Sequence, residues 1–193
     1  MARPRHDAEG PNARSRILEA AADLFYRKGI ANVGVDEVAL KSRIAKMTLY
    51  HHFASKDDVV VETLQGRRDL REREWQAATG RARTPRGKVG AAFDYLDTLL
   101  GAPDFRGCAF INAAVETADP EHGAFQIAES YKRSIRWRFE SIAKEAGLKN
   151  PRLFGRQCLM LWDGALVSAL VLDDRNAARA ARSAAVALLG TST

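Results

Sequence analysis

Apolar side chains recur along this chain at helical spacing, three or four residues apart, in nine successive segments. The first segment follows a candidate helix cap at Asn12 and ends at Gly29. Two short segments come next, and the second runs from about Lys46 to His52. Ser55 is predicted to cap a long fourth helix. Neither an alternating strand pattern nor an internal repeat occurs, so the sequence predicts an all-α fold of nine helices.

A polar stretch at residues 79–86 separates the fourth helix from five later ones and is the predicted domain boundary. Residues 1–11 are polar and contain Pro and Gly, which is typical of a disordered arm. The pattern therefore predicts four parts: the arm 1–11, an N-terminal domain 12–56, a connecting helix with its linker 57–84, and a C-terminal domain 85–190.

Charge is distributed unevenly between these parts. Residues 1–88 hold 18 Lys and Arg side chains against 12 Asp and Glu, whereas the rest of the chain is balanced, so the net charge of +6 lies in the first part. This asymmetry indicates either a polyanionic partner for the N-terminal part or a merely solubilising surface. The apolar content of 46% supports a substantial core under both interpretations.

The compartment is predicted from the cysteines and from the absence of export signals. Cys108 and Cys158 are the only cysteines and lie far apart, which fits a reducing cytoplasm better than a disulfide scaffold. The first residues lack the apolar core of a signal peptide. The longest apolar run, residues 158–172, is interrupted by polar side chains and is too short to span a bilayer.

The second and third helices have the spacing of a helix-turn-helix, in which a second short helix enters the DNA major groove. Ile44, Leu49 and Phe53 are predicted to anchor its inner side. The polar positions left for DNA are Lys46, Thr48, Tyr50, His51 and His52. Lys46 and His52 are expected to meet phosphates, and Tyr50 a phosphate or a thymine methyl group. Lys56, at the start of the fourth helix, is a further candidate phosphate contact.

The stretch V-D-E-V-A, followed by T-L-Y-H-H-F-A-S-K-D-D, resembles the DNA-binding signature of the TetR/AcrR family of transcriptional regulators from about Ala13 to Leu64. The resemblance implies a homodimer with an N-terminal three-helix DNA-binding domain and a C-terminal domain that binds a small molecule and dimerises. Repression of a palindromic operator is the role it implies by default. With the positions that match the family, the candidate DNA contacts are Arg14, Gly34, Arg43, Ala45, Lys46, Met47, Thr48, Tyr50, His51, His52 and Lys56.

Three positions depart from the family pattern. Arg43 occupies the usual glycine of the turn, which costs about 1 kcal/mol if the turn requires a positive φ. Ala45 replaces a capping serine worth about 1 kcal/mol. Gly34 replaces a Ser or Thr that contacts a phosphate. We therefore expect the third helix to be more mobile without DNA, and we expect Arg43 to restore some phosphate affinity.

The stretches G-C-A-F-I-N-A-A-V-E and L-W-D-G-A resemble the effector domain of one subgroup of the family. Aromatic side chains spread over the fifth to eighth helices either enclose an apolar cavity for a small, largely apolar effector or simply fill the core. Asn112 and Glu116, one turn apart, either point into such a cavity or face solvent. The candidate ligand contacts are Phe93, Leu96, Phe110, Asn112, Glu116, Phe125, Tyr131 and Trp162.

The eighth helix is apolar nearly all round and must be covered on both sides. The ninth is rich in small residues, so the two helices from two subunits are predicted to form a four-helix dimer interface. Its candidate residues are Phe154, Cys158, Leu161, Ala165, Ala181, Ala185 and Leu188. In the mechanism we expect, an effector displaces the sixth helix and the fourth swings, which changes the separation of the two recognition helices.

Other classes of function have weaker support. No nucleophile elbow and no glycine-rich phosphate loop occurs, so an enzyme is not expected; its best catalytic candidate would be Glu116. Glu116, Asp119 and His122 lack a second histidine for a metal site, so no metal or cofactor is expected. A regulator that senses redox state through Cys108 and Cys158 is the main alternative, and a DNA-coating protein without sequence preference is another.

Overall fold

A computed structural model describes residues 13–190 of the 193-residue chain. Within that range it consists of nine α-helices without any β-strand, which confirms the predicted fold class. The helices are α1 (Ala13–Lys28), α2 (Val35–Ser42), α3 (Lys46–His52), α4 (Lys56–Thr79), α5 (Pro85–Leu100), α6 (Ala109–Thr117), α7 (Gly123–Glu145), α8 (Pro151–Leu172) and α9 (Ala177–Gly190). The predicted arm of residues 1–11 and the predicted cap at Asn12 lie outside the described residues.

The first three helices pack around a small core that the beginning of α4 completes. Ile17 of α1 and Leu49 of α3 are fully buried, and Phe53, directly after α3, is almost fully buried. Val59 of α4 closes the core, and the half-buried Ile44 packs against it. The predicted inner side of the third helix is therefore confirmed.

A capping box starts α4 at Ser55, as predicted. The backbone N–H of Asp58 donates to the Ser55 hydroxyl (3.1 Å), and the Ser55 N–H donates to the Asp58 carboxylate (2.9 Å). These bonds satisfy two backbone donors that the helix itself leaves unpaired. The helix then continues for 24 residues, about 36 Å, and carries Trp75 into a second core. The single continuous helix α4 thus contributes buried residues to both cores.

The connection between α4 and α5 is shorter than the predicted linker at 79–86. α4 continues to Thr79, and α5 begins at Pro85. The Thr84 hydroxyl accepts a hydrogen bond from the Gly87 N–H (3.1 Å) and so caps α5. Proline fits the first helical position because its missing N–H would have no partner there. Only residues 80–84 remain between the two helices.

The second core is centred on four aromatic rings from four helices: Trp75 of α4, Phe93 of α5, Phe139 of α7 and Trp162 of α8. The ring centroids of Trp75 and Phe139 lie 5.4 Å apart, and those of Phe93 and Trp162 lie 5.8 Å apart. These are ordinary distances for tilted and edge-to-face aromatic pairs. The cluster fixes α4 against the C-terminal helices.

Candidate nucleic-acid interface and effector cavity

The turn between α2 and α3 adopts the left-handed conformation at Arg43, with φ of 56°. The turn therefore does require a positive φ, and a residue other than glycine is strained there by about 1–2 kcal/mol. Arg16 of α1 stabilises the turn, because its guanidinium donates to the carbonyl oxygens of Ser42 (2.5 Å) and Arg43 (3.1 Å). This role of Arg16 could not be predicted from the sequence, because its partners lie 26 and 27 positions away.

The outer face of α3 is exposed over its whole length. Met47 is 78% exposed and Tyr50 is 43% exposed, and Lys46 and His51 are also exposed. Thr48 is half-buried. Four of the candidate DNA contacts therefore share a surface that is open to a partner.

The N-terminal ends of the two short helices lack side-chain caps. Ala45 precedes α3 in an extended conformation and makes no side-chain capping bond, as expected from its methyl group. Gly34 precedes α2 with φ of −88°, a value that any residue adopts. No atom lies within 4 Å of the position that a Cβ would occupy there. Both short helices therefore depend on tertiary packing for their stability.

Four predicted phosphate contacts have intramolecular surroundings that the sequence did not indicate. His52 follows Leu49 by three residues, so it lies towards the inner face of α3, and its Nε2 is buried without a hydrogen-bond partner among the described residues. The ammonium of Lys56 donates to the carbonyl oxygen of Ile30 (2.5 Å) and holds the α1–α2 loop. Arg14 is paired with Glu62, and Lys46 with Asp36 (2.7 Å). The latter two pairs are largely exposed and so contribute little stability.

A cavity of about 190 Å³ lies between the two cores. Of the predicted ligand contacts, Phe110, Tyr131 and Trp162 line it. Phe110 and Tyr131 stack with their ring centroids 3.9 Å apart. The chain thus has a cavity in addition to a filled aromatic core, and the predicted ligand contacts are divided between the two.

Five predicted ligand contacts do not line this cavity. Phe93 and Leu96 are fully buried in the core, and the half-buried Phe125 lies elsewhere on α7. The Asn112 amide donates to the carbonyl oxygen of Arg106 (3.1 Å). Glu116 faces the N-terminal helices, and its carboxylate accepts a hydrogen bond from the Ala31 N–H (3.0 Å). Helical spacing predicted that the last two share a face but not what that face meets.

The carboxylate of Glu116 fits closely against the α1–α2 loop. Gly29 has φ of +87°, and a Cβ there would lie 3.0 Å from the Glu116 carboxylate. Glu116 of α6 and Lys56 of α4 thus hold the loop at neighbouring residues, Ala31 and Ile30. The α1–α2 loop is therefore bonded directly to α6, so it links the N-terminal part of the chain to the C-terminal part.

Sequence reasoning missed the polar side of the cavity. Arg67 and Arg71, one turn apart on α4, line it together with Tyr26 of α1. The Tyr26 hydroxyl accepts from the Arg106 N–H (2.8 Å) and donates to the Gly107 carbonyl (3.0 Å). The i, i+4 spacing of the two arginines was the available signal, but an exposed face of α4 would have the same spacing.

Most of the predicted dimer contacts lie inside the protomer rather than on its surface. Phe154, Cys158, Ala165, Ala181 and Ala185 are buried inside the protomer, where α8 packs on α7 and α9. Leu161 and Leu188 are half-buried beside a shallow apolar cleft. The exposed stripe of α8 instead comprises Leu153, Met160, Gly164, Val167 and Val171. Because the helix is apolar on both sides, its sequence could not indicate which side faces inward.

The two thiols of the alternative prediction, a redox-sensing regulator, have different surroundings. Cys108 lines the cavity, whereas Cys158 is fully buried, and both are free. Burial raises the pKa of the Cys158 thiol to about 12. A thiol with such a pKa is almost entirely protonated at neutral pH and is a poor nucleophile.

Metal ligation and membrane insertion find no support in residues 13–190. No group of three His, Cys, Asp or Glu side chains in that range is arranged to hold a metal ion. None of the described helices combines the length and apolarity needed to cross a bilayer. His122, considered above as a ligand, caps α7 by accepting a hydrogen bond from the Ala124 N–H (3.1 Å).

The structure combines an N-terminal helix-turn-helix with an all-α C-terminal part and a cavity between them. This combination is typical of helix-turn-helix transcriptional regulators. Comparison with known proteins agrees with this class. The family model of bacterial regulatory proteins of the tetR family matches residues 17–63. A structure of a TetR-type transcriptional regulator from Streptomyces avermitilis is 30% identical, with a TM-score of 0.79 over 90% of this chain and 97% of that chain. The chain belongs to the TetR family.

Other relatives agree with this assignment. A TetR-family regulator from Streptomyces coelicolor is 28% identical, with a TM-score of 0.89 over 94% of this chain and 96% of that chain. The transcriptional activator FasR of Mycolicibacterium smegmatis is 27% identical over 72% of this chain. The transcriptional repressor KstR2 of Mycobacterium tuberculosis is 42% identical over 28% of it. These two matches span 63% and 26% of the relatives' own lengths, less than two thirds of each.

Proposed function

We propose that this protein is a ligand-responsive transcriptional repressor that binds a palindromic operator as a homodimer. The outer face of α3 carries this proposal, since Met47 and Tyr50 are exposed on a helix whose inner side is fixed by Leu49. A helix in this position fits the major groove of B-DNA, where each base pair has a distinct pattern of donors and acceptors. Its proposed partner implies that the protein works in the cytoplasm.

In this proposal residues 12–56 bind DNA, residues 57–84 connect, and residues 85–190 bind the effector and dimerise. Two groups of core residues support the division, one among α1 to α3 and the start of α4, the other among the C-terminal helices; they meet along α4 in one continuous hydrophobic core. With only seven residues, α3 reads too few base pairs to select one site. A pair of these helices would read two half-sites about one helical turn apart.

The proposed dimer interface is the exposed stripe of α8 together with the neighbouring surface of α9. Met160 is 73% exposed and Val171 is 70% exposed, on a stripe that Gly164 leaves open for close approach of a second helix. Apolar stripes of this length are seldom left in water. We propose that two copies bury them in a four-helix contact.

The proposed release of the operator by an effector is supported by the helices that line the cavity. Its walls include Tyr26 of α1, Arg67 of α4 and Phe110 of α6. A ligand that binds one arrangement of these helices more tightly shifts the population by its differential affinity. Movement of α4 or α6 would also displace the loop that Lys56 and Glu116 hold.

Selection of bound duplexes from a random pool tests the proposal most directly. Recovery of an inverted repeat with half-sites about one turn apart is expected. Recovery of duplexes without a shared sequence would refute specific binding and favour a DNA-coating protein. A reporter gene behind the recovered site then tests the direction of regulation, and repression is the expected result.

A pair of variants tests the role of α3. Tyr50→Ala is expected to weaken operator binding at least tenfold, about 1.4 kcal/mol, without changing the dimer. Trp137→Ala is the matched control, because it removes an exposed aromatic ring (71% exposed) from α7. If both variants weaken binding equally, or if Tyr50→Ala dissociates the dimer, the division of roles proposed here is wrong.

A further inference from the structure

Arg67 brings a positive charge to the wall of the cavity, and no ion pair within the described residues neutralises that charge. The side chain is half-buried, and it makes no hydrogen bond or ion pair with any other side chain or backbone group in the described range. Its guanidinium lies over the Tyr26 ring, 4.6 Å from the ring centroid. Burial, together with the nearby charge of Arg71, lowers the pKa of Arg67. A bound anion would offset both the burial of the Arg67 charge and its repulsion from Arg71.

The second arginine of the cavity, Arg71, already has a hydrogen-bonded counter-charge. Arg71 donates to the carboxylate of Glu74 (2.6 Å), which also accepts from the Tyr95 hydroxyl (2.8 Å). The lining also contains Asp104, but that side chain is exposed and forms no ion pair with either arginine. Asp104 therefore acts on Arg67 only weakly, from beyond ion-pair distance. One guanidinium is left without an ion-pair partner, which favours a ligand with a single negative charge.

The rest of the cavity is suited to a ligand with an apolar part and one hydrogen-bond acceptor. Phe110, Trp162 and Leu166 form its apolar wall. The Tyr131 hydroxyl forms no hydrogen bond with the described residues, and burial raises its pKa, so it is a neutral donor. The volume of about 190 Å³ is somewhat larger than the roughly 150 Å³ of an engineered cavity that binds benzene.

We propose that the cavity binds a small organic monocarboxylate, with its carboxylate on Arg67 and Tyr131 and its apolar body against Phe110 and Trp162. This inference rests on the proposed function, since it specifies the effector class of that same cavity. The planar fork of a guanidinium matches the two oxygens of a carboxylate. The ligand is therefore an acid rather than the largely apolar effector that the aromatic residues alone predicted.

The position of Arg67 also gives such an acid a direct route to the DNA-binding helices. A carboxylate on Arg67 competes with its contact to Tyr26, which belongs to α1. Tyr26 is in turn bonded to the segment before α6 through Arg106 and Gly107. An acid at this position therefore acts on α1 and α4 together.

Calorimetric titration of the full-length protein without DNA tests the proposal. The probes are benzoate, phenylacetate and hexanoate, each compared with its uncharged amide. At least one acid is expected to bind at least tenfold more tightly than its amide. Arg67→Met is expected to lower the affinity for that acid at least tenfold. Arg68→Met is the matched control, because Arg68 does not line the cavity and lies 3.8 Å from Asp69.

A second variant, Tyr131→Phe, keeps the ring and is expected to lower the affinity for the acid several-fold even if Arg67→Met does not fold. The proposal is overturned if no acid binds at 10 mM or if the amides bind equally well. Equal loss in the two arginine variants would also overturn it. Inorganic phosphate binding as tightly as the acids would overturn the carboxylate assignment. Because no DNA is present, failure here leaves the operator selection unaffected, and failure of that selection leaves an acid site intact.

Discussion

Replacing Arg43 with glycine is expected to change protein stability and DNA affinity in opposite directions. Arg43 is left-handed with φ of 56°, a conformation that costs an L-residue about 1–2 kcal/mol. Glycine avoids this strain but gains freedom in the unfolded chain worth about 0.4–1 kcal/mol. The difference is a stabilisation of about 0.5–1 kcal/mol. The turn itself should persist, since Arg16 holds its backbone carbonyls rather than the Arg43 side chain.

Thermal unfolding at one fixed protein concentration measures the gain, because the apparent stability of a dimer depends on concentration. A stabilisation of this size raises the Tm of a chain this long by about 1–4 °C. Operator affinity should fall in the same variant if the Arg43 guanidinium contacts a phosphate. The slope of log affinity against log salt concentration should then decrease by about 1.

Ala118→Gly is the matched control, because Ala118 ends α6 in the same conformation with φ of 48°. It should raise the Tm by a similar amount and leave the salt dependence of DNA binding unchanged. A lower Tm for Arg43→Gly would contradict the strain argument. An unchanged salt slope would show that Arg43 does not compensate for the missing phosphate contacts at the start of α2.

Three further variants test other elements. Ala45→Ser should cap α3 at the Thr48 N–H and stabilise the protein by about 1 kcal/mol in thermal unfolding; no change would mean that the end of α3 is fixed by packing alone. Met160→Glu should convert the dimer to a monomer in sedimentation at micromolar concentration, whereas Val115→Glu, equally exposed on α6, should not. Glu116→Ala should speed hydrogen exchange at the Ala31 amide, and unchanged exchange would refute the link between α6 and the loop.

The sequence predicted those elements whose direction is fixed by local spacing. Leu49 and Phe53 are four residues apart and both face the N-terminal core, so the outer face of α3 followed from them. Ser55 and Asp58 have the spacing of a capping box, which depends on no distant partner. Strain at Arg43 was expected on the condition that the turn has a positive φ, because the family usually has a glycine at this position, and the structure fulfils that condition.

Contacts between distant helices could not be predicted in this way. Glu116 binds an amide 85 positions earlier, and Lys56 binds a carbonyl 26 positions earlier. In both cases the sequence indicates only that a charged side chain lies near the surface. The inward side of α8 was likewise decided by α7 and α9, which cover Cys158 and Ala165 but not Met160.

Tyr26 belongs to a helix of the DNA-binding part, yet its ring forms part of the cavity wall and its hydroxyl is bonded on both sides to the segment before α6. The DNA-binding helices and the cavity are therefore not interchangeable modules. A chimaera that received its first three helices from another regulator would also receive a different cavity wall. Under the proposed function, exchanging those helices to obtain a new operator preference should also alter which effector the hybrid accepts, unless Tyr26 is kept.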